Sequence, residues 1–316
     1  MIVLSTFIVL LVTSFSAYIY KYLWLKVFNK KNVPTGFGII FIYILLFYSY
    51  FIIGVNYFTI IFFIIALFSS IYWIDDIFYL SSIFRFILQF FTGLLLALVT
   101  LYLNDINFGG YNFLIIIFFG ISNIFFSNII NFYDGLDLNV TTLILIFCFV
   151  LVQFMNLQAE YHLIGLIISS FMIGFALFNF MPNNIFFGDA GCFAFASFIN
   201  LILIQSLINL DIQSVIFLFI PLALPIIDVG YVILLRLKLK ESLLTRNYHH
   251  LYHIIELKYR NKLYLVPQVI NLLLLLSLTH FINFYSVYNI TVFILLSVVL
   301  TLLNYFLIRF NIKSKR

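Results

Sequence analysis

Apolar residues run through this chain in long unbroken stretches separated by short polar ones. The stretches fall at about 2–23, 37–54, 57–74, 83–103, 112–130, 141–157, 162–180, 192–209, 213–235, 264–285 and 288–309. Most are about 18 to 23 residues long, the length at which a helix crosses a hydrocarbon core of about 30 Å. They predict eleven helices. The weak ten-residue alternation of a membrane β-barrel is missing. The closest-spaced pairs are divided by turn residues: Gly54, Asn56 and Thr59 for the first, Leu210, Asp211 and Ile212 for the second.

Composition turns eleven helices into a membrane protein. Hydrophobic residues make up 65% of the chain and charged residues 9%, against about 25% charged in soluble domains. So few charges do not cover a water-exposed surface. The expected fold is an all-α, polytopic integral membrane protein forming a single transmembrane domain, 1–316, with one long cytoplasmic loop at about 236–263. Residues 1–23 lack a basic start and a small-residue cleavage site, and read as a retained first span. Cys148 and Cys192 lie in or beside apolar runs, away from metal-ligand spacing, and read as small packing residues.

The net charge of +5 raises nucleic acid as a partner, but its distribution points elsewhere. Lys21, Lys26, Lys30, Lys31, Arg85, the basic residues from Arg236 to Lys262, and Arg309, Lys313, Lys315 and Arg316 all reach one side if eleven helices alternate. The other connections carry Asp105, Glu160 and Asp211. Basic residues collect on the cytoplasmic side, so the N-terminus is expected outside and the C-terminus in the cytoplasm. The basic residues read as orientation signals and lipid-headgroup contacts. No nucleic-acid motif accompanies them.

On that map the remaining acids converge on the cytoplasmic face. Asp75 and Asp76 follow the third helix, with Arg85 and Gln89 sharing a face of the next. Adjacent carboxylates favour a cation or proton between them; the plainer reading is a helix cap. Asn128, Asn131, Asp134 and Asp137 recur every three residues and line one side of the fifth helix if it continues through them, with Gly135 permitting a break. Their oxygens suit Mg²⁺, sugar hydroxyls or a base edge. In Phe186-Phe-Gly-Asp-Ala-Gly191 two glycines flank Asp189 where a helix N-terminus opens. Arg246, His249, His250 and His253 offer donors to a diphosphate; zinc at His249 and His253 is the weaker alternative.

Together these residues resemble the bacterial polyprenyl-phosphate N-acetylhexosamine-1-phosphate transferases, glycosyltransferase family 4. Asp75-Asp76 with Leu80, Arg85 and Gln89 is similar to that family's aspartate-pair motif. Asn128-x-x-Asn-Phe-x-Asp-Gly-Leu-Asp137, Phe186-Phe-Gly-Asp-Ala-Gly191, Pro34-Thr-Gly-Phe-Gly38, Pro225-Ile-Ile-Asp228 and His250-Leu-Tyr-His253 resemble its other motifs in order, over about residues 32 to 275. The last resembles the O-antigen-initiating branch more than the peptidoglycan enzyme. Leu138 stands where glycine is usual, Cys192 where serine is common, and His253 where glutamine is.

The resemblance implies transfer of a sugar-1-phosphate from a UDP-N-acetylhexosamine to polyprenyl (undecaprenyl) phosphate, giving polyprenyl-diphospho-sugar and UMP, at the cytoplasmic face of the bacterial inner membrane. It implies Mg²⁺, with Mn²⁺ as a substitute, held by Asp189 with Asp75 or Asp76 nearby. Asp75 and Asp76 are then the catalytic pair, either one acting as base or as nucleophile. Asn128, Asn131, Asp134, Asp137 and Phe186 fall on the sugar-nucleotide side, Phe186 against uracil, and Arg246, His250 and His253 at the diphosphate. A homodimer is compatible with this reading. Peptidoglycan lipid I synthesis is the same chemistry on another substrate. A multipass transporter is disfavoured because the acids gather at helix ends without repeats, rather than at the bilayer midplane.

Overall fold

A computed structural model describes residues 2–27, 33–54, 56–78, 80–106, 112–180, 185–242, 248–281 and 287–313. Among the described residues, 87% are helical and none lies in a strand. The helices are α1 (Ile2–Val27), α2 (Gly38–Tyr48, prolonged by a π-turn over Ser49–Ile53), α3 (Tyr57–Phe78), α4 (Ser82–Leu103), α5 (Asn112–Tyr133), α6 (Asn139–Phe154), α7 (Ala159–Phe180), α8 (Gly188–Ile208), α9 (Ile212–Leu239), α10 (Leu251–Tyr259), α11 (Val266–Phe281) and α12 (Val287–Lys313). Every apolar stretch expected to be helical lies on one of them. Among the described residues, nine helices are long and apolar enough to cross a membrane; Gly38–Ile53 and Asn139–Phe154 are apolar but shorter. The protein is a polytopic membrane protein.

The chain divides into two compact units, Met1–Val215 and Ile216–Arg316. In the first, α8 is the core. It is buried from Ala190 to Ser206 and packs against α2, α3, α4 and α5. Small side chains let those helices come close, since lipid tails provide no hydrophobic drive between helices and packing must do the work. A Cβ placed on Gly38 would sit 2.1 Å from the Cα of Gly191, so α2 and α8 cross backbone to backbone. Polar clasps add to this. Asn200 on α8 accepts from Ser122 and donates to the Phe119 carbonyl at 3.1 Å, while Asn123 donates to the Gln89 carbonyl of α4 at 2.8 Å.

The second unit holds the later part of α9 with α10, α11 and α12. Pro221 and Pro225 lie inside α9, tolerated in membrane helices where neighbours satisfy the freed carbonyls. Within the stretch read as one long loop, α9 runs on to Leu239 and α10 forms from Leu251. Two basic residues read as surface orientation signals are instead buried here: Arg236 and Arg309, each 4% exposed. Both find polar partners in place of headgroups: Arg236 bonds the Ser242 carbonyl, and Arg309 bonds Tyr305 and the His249 carbonyl.

Candidate active site

The site is built around the first turn of α8. A helix start leaves its first amides without partners inside the helix and carries partial positive charge. Here acids from elsewhere in the first unit take them. Asp134 Oδ2 accepts the Gly188 amide at 2.6 Å, Asp76 Oδ1 accepts the Asp189 amide at 3.1 Å, and Asp76 Oδ2 accepts the Ala190 amide at 3.2 Å. The Thr35 hydroxyl also donates to Asp76, at 3.2 Å.

Thr35 belongs to a segment laid along the approach to α8. Phe186 N–H donates to Pro34 O at 2.8 Å, Phe37 N–H to Phe186 O at 3.3 Å and Gly38 N–H to Phe187 O at 2.8 Å. The crossing requires glycine twice. Gly36 and Gly188 have φ of +82° and +78°, which side-chain-bearing residues adopt at a cost of roughly 1–2 kcal/mol. A Cβ on Gly188 would lie 2.3 Å from Gly36 N, and one on Gly36 would lie 2.9 Å from Asp76 Oδ2. The glycines of the two motifs thus let one backbone rest on the other with Asp76 between them.

Asp189 points its carboxylate the other way. Its Oδ2 pairs with Arg85 Nη1 at 2.9 Å and its Oδ1 accepts from Asn131 Nδ2 at 2.7 Å. Arg85 Nε also lies 3.5 Å from Asp75 Oδ2, while Asp75 Oδ1 accepts the Leu80 amide. The Tyr72 hydroxyl holds the Arg85 carbonyl at 2.7 Å, and its ring stacks on Phe193 at 4.4 Å. Asn128 donates to Gln89 Oε1 at 3.1 Å, bracing α5 against α4. Asp75 is buried at 3%, whereas Asp189 and Arg85 keep 25% and 35% side-chain exposure. The cluster is therefore closed behind and open at Asp189 and Arg85.

The three-residue spacing from Asn128 does not become one continuous helix face. α5 ends at Tyr133, and Asp134 to Leu138 form turns. Gly135 permits the break foreseen there. Asn139 then holds the Tyr133 carbonyl at 3.0 Å, and Asn179 Oδ1 takes the Leu138 amide. Leu138 has φ +60°, the left-handed conformation that explains why glycine is usual at this place. Asp134 is thus turned into the α8 start while Asp137 is partly exposed. Burial pushes the Asp134 carboxyl up to about 7, aided by the charge of Asp189 and opposed by hydrogen bonds from Gly188, Cys192 and Phe187.

The histidine segment belongs to the second unit. Arg246 lies outside the described residues. His250 is 3% exposed and its Nδ1 lies 2.8 Å from Asp228 Oδ2. His253 packs on the rings of Tyr252 and Tyr248, centroids 4.4 and 5.2 Å away. His249 Nε2 lies 3.2 Å from Glu241. Phe186 is partly buried, held by its backbone as above. Thr35 and Arg85 join the cluster, and Asp228, Tyr305 and Arg309 join the histidine segment. The sequence marks Asp228 within Pro225-Ile-Ile-Asp228 and Arg309 among the basic residues near the C-terminus, and carries no signal for Tyr305.

Four carboxylates, Asp75, Asp76, Asp134 and Asp189, gather at the α8 start, and Arg85 pairs with two of them, 3.5 Å from Asp75 Oδ2 and 2.9 Å from Asp189 Oδ2. Acids in excess of their countercharge favour a proton or a further cation among them. The donors are all oxygen, as hard cations prefer. Among the described residues, no three acid, histidine or cysteine side chains form a ready-made cage. Mg²⁺ needs less than such a cage, being usually held by one or two carboxylates plus waters and substrate phosphates.

No curated protein matches the chain. Residues 57–207, the stretch that carries Asp75, Asp76, Arg85, Asn131, Asp134 and Asp189, match the family model described as glycosyl transferase family 4.

Proposed function

We propose that the protein transfers N-acetylhexosamine-1-phosphate from a UDP-sugar to polyprenyl phosphate, releasing UMP. The observation that carries this reading is the gathering of four carboxylates and Arg85 at the α8 start, within the family-matched stretch. An ionised oxygen of the lipid phosphate attacks the sugar-bearing phosphorus. The bond from that phosphorus to the UMP oxygen breaks, and UMP leaves with the electron pair. Arg85 offsets charge on the phosphoryl oxygens, where preorganised donors are most effective. Asp75 or Asp76 orients the lipid phosphate or removes its last proton. Asp76, whose oxygens meet three donors, suits the orienting role, and Asp75 the other.

Bound Mg²⁺, or Mn²⁺ in its place, would screen the two anionic substrates from each other. Asp189 is its proposed principal ligand, with Asp75 or Asp76 as the second. Asn128, Asn131, Asp134, Asp137 and Phe186 serve the sugar-nucleotide side, and Arg246, His250 and His253 the diphosphate. The setting is a bacterial cytoplasmic membrane, N-terminus outside, site toward the cytoplasm, at the first step of O-antigen or another surface glycan.

The test is a membrane assay with Mg²⁺, undecaprenyl phosphate and a panel of radiolabelled UDP-N-acetylhexosamines, including the peptidoglycan precursor UDP-N-acetylmuramoyl-pentapeptide. Label in the lipid phase with stoichiometric UMP supports the reading, and the labelled donor names the branch. Folded protein that transfers no sugar from any donor refutes it.

A further inference from the structure

Outside the acid cluster, the second unit buries one carboxylate completely. Asp228, on α9, is 0% exposed. Its Oδ1 accepts the Leu251 amide at 2.9 Å and the Tyr305 hydroxyl at 3.0 Å, and its Oδ2 lies 2.8 Å from His250 Nδ1. Arg309 supplies the countercharge, with Nη1 3.8 Å from Asp228 Oδ1. The same guanidinium donates to the Tyr305 hydroxyl at 2.6 Å and to the His249 carbonyl at 3.0 Å, and it lies 4.2 Å over the Tyr231 ring. The backbone is therefore gripped on both sides of His250: at the carbonyl before it by Arg309, at the amide after it by Asp228.

This arrangement decides where the ring proton sits. A carboxylate only accepts, and the other groups around Asp228 are donors. The contact at Oδ2 thus requires N–H on Nδ1. A neutral imidazole has one such proton, so Nε2 becomes its basic nitrogen. We propose that Asp228 is a positioning residue which, anchored by Tyr305 and Arg309, holds His250 as the Nδ1–H tautomer and so makes Nε2 the atom that takes up a proton. Among the groups at the ring are Asp228 from α9, anchored by Tyr305 and Arg309 from α12, and Tyr252, whose ring stacks at 5.5 Å. His249 precedes it. Only the kinetic consequence rests on the transferase reading; the tautomer does not.

The experiment is ¹⁵N NMR of the full chain in detergent with labelled histidine, His250 being assigned by difference from His250→Gln. The wild type is expected to carry its proton on Nδ1. Asp228→Asn is nearly isosteric but turns an N–H toward Nδ1, and is expected to move the proton to Nε2. In the transfer assay it is expected to lower kcat by about tenfold or more, on the scale of lost supporting hydrogen bonds. The acid limb of its pH profile should move, while KM for the UDP-sugar stays within about twofold. Tyr305→Phe is expected to keep the wild-type tautomer. A wild-type proton on Nε2 overturns the proposal, whatever becomes of the variants. Asp228→Asn with unchanged tautomer and pH profile overturns it as well. If the wild type transfers no sugar, the transferase reading falls and the tautomer still decides this proposal.

Discussion

The protein holds two acid centres built on opposite plans. At the α8 start, four carboxylates gather, two of them paired with one guanidinium, and Asp189 and Arg85 are partly open to solvent. Around Asp228, one carboxylate has three hydrogen-bonding partners and an arginine, and none of it is exposed. A buried charge with three hydrogen-bonding partners and a countercharge is a firm joint, and that firmness is what lets it position a neighbour. A cluster with more acids than counterions favours a cation, a proton or a ligand among them. One plan fixes a side chain in place; the other leaves charge beside an opening.

That contrast is open to four tests. The largest effect is expected from Asp189→Asn, which keeps a hydrogen-bonding side chain toward Arg85 and Asn131 but removes the open charge. Transfer should fall by about a thousandfold, the upper scale for losing one preorganised electrostatic group, with the melting temperature nearly unchanged. Activity within tenfold of wild type would show that the open centre is not the working one.

Asp228→Ala should do the reverse in kind. Breaking a buried ion pair from one side costs about 3–5 kcal/mol. The expected result is a large loss of thermal stability in detergent, read by tryptophan fluorescence or aggregation onset. A variant as stable as wild type would mean that the second centre is not a joint.

The third test uses pH. The Asp134 carboxyl is raised to about 7 in the folded protein by burial, against about 3.9 in an unfolded chain. The folded state binds the extra proton between those values, so this group's contribution to stability is full below about 4 and is lost as pH rises through about 7. Asp134→Asn keeps an acceptor for the Gly188 amide and cannot titrate. Comparing melting temperatures from pH 4 to 8, the wild type should lose more stability than the variant on the alkaline side. Parallel curves would dispose of a protonated Asp134.

The smallest change is expected from Tyr305→Phe, which removes one of Asp228's donors and leaves the others. A loss of about 1–2 kcal/mol is in the range for a hydrogen bond to a charged group, measured as a modest fall in melting temperature. A loss as large as that of Asp228→Ala would make Tyr305, and not the carboxylate, the keystone of the joint.

How much of this was legible in the sequence depends on range. Helices were legible because length and apolarity are local: over the described residues each of the eleven apolar stretches falls on a helix, and nine of those helices are long and apolar enough to cross a membrane. The motifs around Asp75, Asp134 and Asp189 were also legible as candidates, and the structure brings them together. Their partnerships were not. Asp76 bonds an amide 113 residues away, and nothing near Asp76 in the chain announces that. α10 was hidden for another reason: nine residues of mixed polarity sit below the length at which periodicity speaks. Arg309 looked like part of a basic tail because position in the chain says nothing about which way a side chain turns. Leu138 carries a glycine's conformation without being glycine, held by a bond to Asn179.

The backbone pairing of 34–38 with 186–187 also has a consequence for how the protein is made. Asp75 and Asp76 leave the ribosome more than a hundred residues before the amides of Gly188, Asp189 and Ala190. Until α8 is made, Asp76 lacks two of its three donors, the Asp189 and Ala190 amides, and α2 lacks the glycine face against which Gly38 rests. The first turn of α8 is therefore the last part of the cluster to be made. A chain halted before Gly188 should be held by the quality-control machinery as an incomplete bundle, even though most of its spans are already in the membrane.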